Sequence, residues 1–135
     1  MLLAGQANNH HWWDAARLDF DPFLRTVTAD YRGTALSDKP DTDSYSTRGF
    51  AEDVLAVRDE IGCPRAHVYG TSMGGRVAQW LAVDHPERLG KLVLGCTSPG
   101  APHGVERRAE VRRSLAQRDP RGARRALLDL MYSPA

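Results

Sequence analysis

The sequence predicts an α/β fold with about four mostly parallel strands flanked by helices. Two observations carry that expectation. Short apolar runs alternate with longer segments of helical periodicity, the order of βαβ units. One of these runs leads directly into Gly70-Thr71-Ser72-Met73-Gly74-Gly75, a serine set among glycines where a strand should give way to a helix.

Taken in order, Met1 to Ala4 reads as the end of a buried strand, followed by the polar loop Gly5 to His11. Trp12 to Arg25 is expected to be partly helical. Thr26 to Asp30 reads as a short strand, and the loop Tyr31 to Ser46 is rich in Gly, Ser, Asp and Pro. Thr47 is the expected N-cap of a helix with Phe50, Val54, Val57 and Ile61 on its apolar stripe. Gly62 ends that helix and Pro64 prevents its return. Ala66 to Tyr69 is a strand. The helix after Ser72 carries Val77, Ala78 and Leu81 on one face and stops before Pro86. Lys91 to Gly95 is the next strand. Beyond Pro99 the character changes. Val105 to Gln117 reads as a basic helix. Asp119-Pro120 reads as a cap with a first-turn proline. Ala123, Ala126, Leu127, Leu130 and Met131 then form an amphipathic stripe.

Composition excludes several classes. The 135 residues suit one domain, and 26% charged with 41% apolar residues is ordinary for a globular protein. A net charge of +1 argues against general polyanion binding, although eight arginines fall between Arg107 and Arg125. Cys63 and Cys96 make neither a disulfide framework nor a metal cluster, so both are expected as reduced thiols, Cys96 buried. Met1 to Gly5 lacks the basic and apolar regions of a signal peptide, and no run approaches the ~20 apolar residues of a membrane span. The expectation is a cytoplasmic protein with no cofactor, no metal and no nucleic-acid or membrane partner.

Gly70-Thr71-Ser72-Met73-Gly74 matches G-x-S-x-G, the nucleophile elbow. A serine on a sharp strand-to-helix turn exposes its hydroxyl, and side chains two positions either side would collide across that turn. Gly70 and Gly74 meet this need, and Gly75 lets the helix approach the sheet. A helix N-terminus at the serine also favours a developing oxyanion. A P-loop reading fails because no lysine follows the glycines.

Four stretches resemble the α/β-hydrolase family: Leu2-Leu3-Ala4-Gly5-Gln6, Asp30-Tyr31-Arg32-Gly33-Thr34-Ala35-Leu36-Ser37-Asp38-Lys39-Pro40, the elbow from Val68 to Gly75, and Asp84-His85-Pro86-Glu87-Arg88-Leu89 with the strand after it. The resemblance covers about residues 1 to 100 and is nearest the enol-lactonase and carboxylesterase branch. It implies a partial α/β-hydrolase core over 1–100 and the start of a helical cap over 101–135. It implies Ser72 as nucleophile, with the backbone amides of Met73 and Gln6 as oxyanion donors, and a small ester or lactone as substrate. Ala4 stands where the family commonly has histidine.

In this family the chain order is Ser, then Asp or Glu, then His. Neither later position lies within the 135 residues, so the chain is expected to be truncated at both ends and impaired alone. The alternative is a non-catalytic fragment or split half needing a partner chain, with exposed sheet edges as the means of association. The five histidines are not expected to supply the base. His67 is expected to pack in the core or against a helix, and His85 to sit at a helix C-terminus. His10 and His11, in the oxyanion loop, are candidates for substrate contact. Trp12 and Trp13 are candidates for the pocket wall, packing being their other use. Asp30 and Asp38 are expected to brace their loop. The arginine-rich helices are expected to present a solvated face.

Overall fold

The computed structural model describes residues 1–42, 45–100, 102–105, 107–117 and 119–131. The chain divides into two compact units, Met1–Pro99 and Gly100–Ala135.

The first unit is built on a parallel sheet of three strands in the order β1 (Leu2–Leu3), β2 (Ala66–Thr71), β3 (Leu89–Gly95). Leu2 registers with Tyr69 and Leu3 with Gly70, while Tyr69, Gly70 and Thr71 register with Val93, Leu94 and Gly95. The three strand ends therefore converge beside Ser72. The strand expected over Thr26 to Asp30 is reduced to one parallel bridge, Leu2 to Thr28, with the Leu2 amide donating to Val27 O at 2.9 Å. The reason is length. β1 has only two residues before the chain turns away at Ala4, so it offers a neighbour too little edge for a ladder.

Helix α1 (Asp14–Phe20) follows a 3-10 turn, His10–Trp13, whose Asn9 cap accepts from the His11 amide. Helix α2 runs Thr47–Glu60. Its N-cap is Ser46, one residue before the expected Thr47, and the Ser46 hydroxyl accepts from the Gly49 amide at 3.0 Å. Gly62, at φ 66, ends it as expected. Its buried face is Phe50, Ala51, Val54, Leu55 and Arg58 rather than the expected Phe50, Val54, Val57 and Ile61, and Val57 is exposed. Spacings of three and four fit both stripes. What selects the observed one is Arg58, which is 1% exposed and donates to the carbonyls of Cys63, Pro64 and Arg88 at 3.3, 3.0 and 2.7 Å. A buried guanidinium is tolerated because it satisfies carbonyls at two chain turns. It ties the end of α2 to the start of β3.

Helix α3 (Met73–Asp84) starts directly after Ser72 and buries Gly74, Gly75, Val77, Ala78 and Leu81. Leu3, Val68, Val77, Ala78, Leu81, Val54 and Phe50 form the main core, between the sheet and helices α2 and α3. Side chains alternate across a strand. Leu2 and Tyr69 thus face the other side, where Leu2, Ala4 and Trp13 form a second cluster with Phe20 and Tyr69. On that side a groove of about 780 Å³, lined among others by Leu24, His67 and Val93, opens near the N-terminal ends of the strands. Ser72, at the opposite ends, does not line it. His67 lies on this face, exposed, its Nδ1 accepting from the Lys91 amide at 2.8 Å. The expected core or helix-packing role is therefore not observed, because the one-residue alternation points it away from α2 and α3.

The second unit contains α4 (Ala109–Leu115) and α5 (Pro120–Met131), packed on each other. The helix expected over Val105 to Gln117 is confined to α4, and Glu106 lies outside the described residues. Asp119 accepts from the Arg121 and Gly122 amides at the start of α5, as its cap role requires. Ala123, Ala126 and Leu127 are half-buried and Leu130 is exposed, while the Met131 side chain lies outside the described residues. Among the described residues no helix is long and apolar enough to cross a membrane.

Candidate active site

The site begins with a backbone conformation. Ser72 is the N-cap of α3 with φ 52 and ψ −116, far from the wells that non-glycine residues prefer. Such a residue costs about 1–3 kcal/mol and persists only where its surroundings over-determine it. They do so here. The Ser72 amide donates to Gly95 O at 2.9 Å, and its carbonyl accepts from Thr97 Oγ1 at 2.6 Å and the Gly75 amide at 3.1 Å. The chain is thus held on both sides of Cα, and the residue is only half-buried.

Each elbow glycine answers to its own neighbour. A Cβ at Gly70 would strike the backbone of Gly74, so these two do oppose each other across the turn. A Cβ at Gly74 would strike the Leu3 and Ala4 carbonyls of β1 and the loop after it. A Cβ at Gly75 would strike the Thr97 side chain, so this glycine makes room for the loop after β3. Gly5 joins the same site. A Cβ there would come within 3.2 Å of Ser72 Cβ, placing the loop after β1 directly against the serine.

Met73, half-buried, is the first residue of α3, and an amide in that position has no carbonyl partner within its own helix. Gln6 follows Gly5 in the loop against Ser72 and is exposed. The loop is shaped by Ala7 at φ 64 and by the Asn8 amide donating to Gly5 O at 3.3 Å.

The remaining candidates separate. His10 is held by Asp30, which accepts from its backbone amide at 2.7 Å and its Nδ1 at 2.9 Å. His11 Nδ1 lies 2.7 Å from Asp14 Oδ2, on the surface. Trp12 is 48% exposed. Trp13 is 4% exposed and packs its ring on Tyr69 at 5.0 Å between centroids, which leaves almost none of it to line an open pocket. His85 caps α3 and reaches Glu52, as its expected structural role requires. Among the hydrogen bonds described, none joins a histidine to the Ser72 hydroxyl. Cys96 is exposed, with φ 50, because the chain turns out of the sheet directly after β3; it is not the buried thiol expected. Among the described residues no three His, Cys, Asp or Glu side chains are grouped to hold a metal ion.

Two bracing residues stand behind the loop. Burial pushes the Asp30 carboxyl up, but donors from the His10 backbone, the His10 ring and the Leu36 amide outweigh it and hold its pKa below the usual value. Asp38, the other expected brace, accepts from the Gly33 amide through its backbone carbonyl at 2.7 Å. Tyr31, buried against Phe50, donates its hydroxyl to Ala4 O at 3.2 Å, and burial raises its pKa. Sequence reasoning did not single out Tyr31 or Thr97, and it placed Gly5 in the oxyanion loop without its contact with Ser72. Gly5 was legible as the glycine following an apolar strand, while Tyr31 and Thr97 carried no signal of their own.

The model of the alpha/beta hydrolase fold family matches residues 1–130. A protein of Caulobacter segnis named for carbamate hydrolysis, RutD, is 44% identical over 95 residues, 70% of this chain and 36% of its own length. The crystal structure of a hydrolase from Pseudomonas aeruginosa PA01 superposes with a TM-score of 0.80 at 30% identity, over 94% of this chain and 48% of that one. Est816, described as an N-acyl homoserine lactone degrading enzyme, superposes with a TM-score of 0.74 at 33% identity over the same shares. The chain thus spans between about a third and a half of the length of these relatives.

Proposed function

The chain belongs to the α/β-hydrolase fold family, and from that premise we propose that Ser72 is the nucleophile of a hydrolase acting on small carboxylic esters or lactones through an acyl-enzyme. The observation that carries the reading is the conformation of Ser72, held at φ 52 between β2 and α3 with Gly5 against it. Strain at a half-exposed serine, braced from two sides and set at the start of a helix, supports a residue kept for chemistry. Its hydroxyl would attack the acyl carbon, and the carbonyl oxygen would gather negative charge beside the amides of Met73 and Gln6. Donors already in place cost no reorganisation when that charge forms. The names of the relatives span carbamate and lactone, both of which offer an acyl carbon to such an attack.

A serine hydroxyl needs a base to take its proton. The described histidine contacts run elsewhere, so this reading assigns the triad's acid and histidine to residues other than these. A cytoplasmic location fits the two free cysteines.

The second reading is a non-catalytic half that joins a partner chain or a second copy. One observation favours it. β3 pairs only with β2 among the described strands, and its Val93 and Leu94 are 51% and 43% exposed.

The test is labelling of Ser72 by a fluorophosphonate probe together with turnover of a short p-nitrophenyl ester. Ser72→Ala should abolish both. Turnover that survives this substitution would sink the first reading.

A further inference from the structure

We propose that Asp30 and Tyr31 are positioning residues that hold the two ends of the Ala4–His10 loop and thereby set where the Gln6 amide stands relative to Ser72. The inference rests on Ser72 being the nucleophile and deepens that reading by assigning the parts that shape its oxyanion site.

The two residues are adjacent in sequence and act at opposite ends of one loop. Tyr31, 4% exposed, donates its hydroxyl to Ala4 O, where the loop leaves β1. Asp30, its side chain also 4% exposed, accepts from the His10 amide and ring, where the loop enters the 3-10 turn. Neither residue is free to move. Tyr31 is stacked on Phe50 of α2 at 4.9 Å, and Asp30 also accepts from the Leu36 amide at 3.2 Å while its own carbonyl accepts from Ser37 Oγ at 2.8 Å. The carboxylate thus joins two loops at one buried point.

Between those ends lie Gly5 to Asn9. Within that stretch the Asn8 amide donates to Gly5 O, and Ala7 holds a positive φ that alanine rarely adopts. Gly5 has no side chain with which to anchor itself, and an added Cβ there would press on Ser72 Cβ at 3.2 Å. The Gln6 side chain is exposed. The loop's place over the serine is therefore set from its ends. Met73 differs, because its amide is fixed by α3 itself. Loosening the clamp should displace one oxyanion donor and leave the other in place. A shift of about 1 Å at such a group can cost on the order of 10²-fold in rate.

The test uses the isosteric variants Asp30→Asn and Tyr31→Phe in the full chain, each checked for native circular dichroism. Two quantities are read: hydrogen exchange of the amides of residues 5–10 against those of α3, and the rate of Ser72 acylation by a fluorophosphonate. We expect exchange in the loop to rise at least ~10-fold with α3 unchanged, and acylation to slow by ~10- to 100-fold. Loop exchange unchanged in both variants overturns the clamp. Faster loop exchange with an unchanged acylation rate overturns its positioning role. Label that falls on a residue other than Ser72 overturns the nucleophile reading, and the positioning role with it, while loop exchange still reports whether the two residues hold the loop.

Discussion

Thr97 Oγ1 donates to the carbonyl oxygen of Ser72 at 2.6 Å, joining the loop after β3 to the residue between β2 and α3. The same threonine side chain occupies the space that a Cβ on Gly75 would need. One residue therefore both fastens the elbow and dictates a glycine in the helix beside it. Thr97→Val keeps the shape and removes the donor. It should destabilise the chain by about 1 kcal/mol, the net worth of one hydrogen bond, and somewhat more if the Ser72 carbonyl finds no water. Urea unfolding would check this, with an unchanged slope.

Gly74→Ala should be far more costly. The added methyl would meet the Leu3 and Ala4 carbonyls, main-chain atoms that cannot rotate aside as a side chain can. The cost should be about 3 kcal/mol or more, the upper range for steric overpacking. The same substitution at Gly62, where nothing lies within 4 Å of the added carbon, should cost only the strain of its positive φ, about 1 kcal/mol. Thermal denaturation of the two variants side by side measures the difference.

Arg58→Met retains an apolar stem of similar length and loses the guanidinium. Apolar replacement of a buried charge is often neutral where the whole ion pair is removed. Here the acceptors are carbonyls and stay behind. Pro64 O keeps a second donor from Arg88 Nε at 2.7 Å, whereas Cys63 O and Arg88 O lose the donor described for them. The expected loss is about 2–4 kcal/mol, one to two for each orphaned acceptor. A variant as stable as the parent in urea would show that water replaces the guanidinium.

The clamp residues predict a pH window from opposite sides. The folded pKa of Asp30 is lowered, so its contribution is complete above the ordinary carboxylate value of ~3.9 and is lost as pH falls through the lower folded value. The folded pKa of Tyr31 is raised by burial, so its contribution is complete below ~10 and is lost as pH rises above that. Melting temperature against pH should fall at both extremes. Asp30→Asn should flatten the acid limb alone, and Tyr31→Phe the alkaline limb alone. A variant that altered the opposite limb would refute the assignment.

What the sequence determined by itself was local. The elbow was legible because its glycines and serine meet across one turn, and the order of β2, α3 and β3 followed from short apolar runs and a proline stop. Ser46 was missed as the cap of α2 by one residue, since both Ser and Thr can cap a helix and the backbone settles which one does. The tertiary structure decided whatever depended on which face meets which. It buried Arg58 and exposed Val57, because carbonyls from two distant turns arrive where the guanidinium lies. It turned His67 and Trp13 to the side of the sheet away from α2 and α3, and it cut Thr26–Asp30 to a single bridge beside a two-residue strand. It also brought Asp30 and Tyr31 to the two ends of one loop, a pairing that sequence distance conceals, since hydrogen-bond partners 20 and 27 residues apart leave no periodic trace.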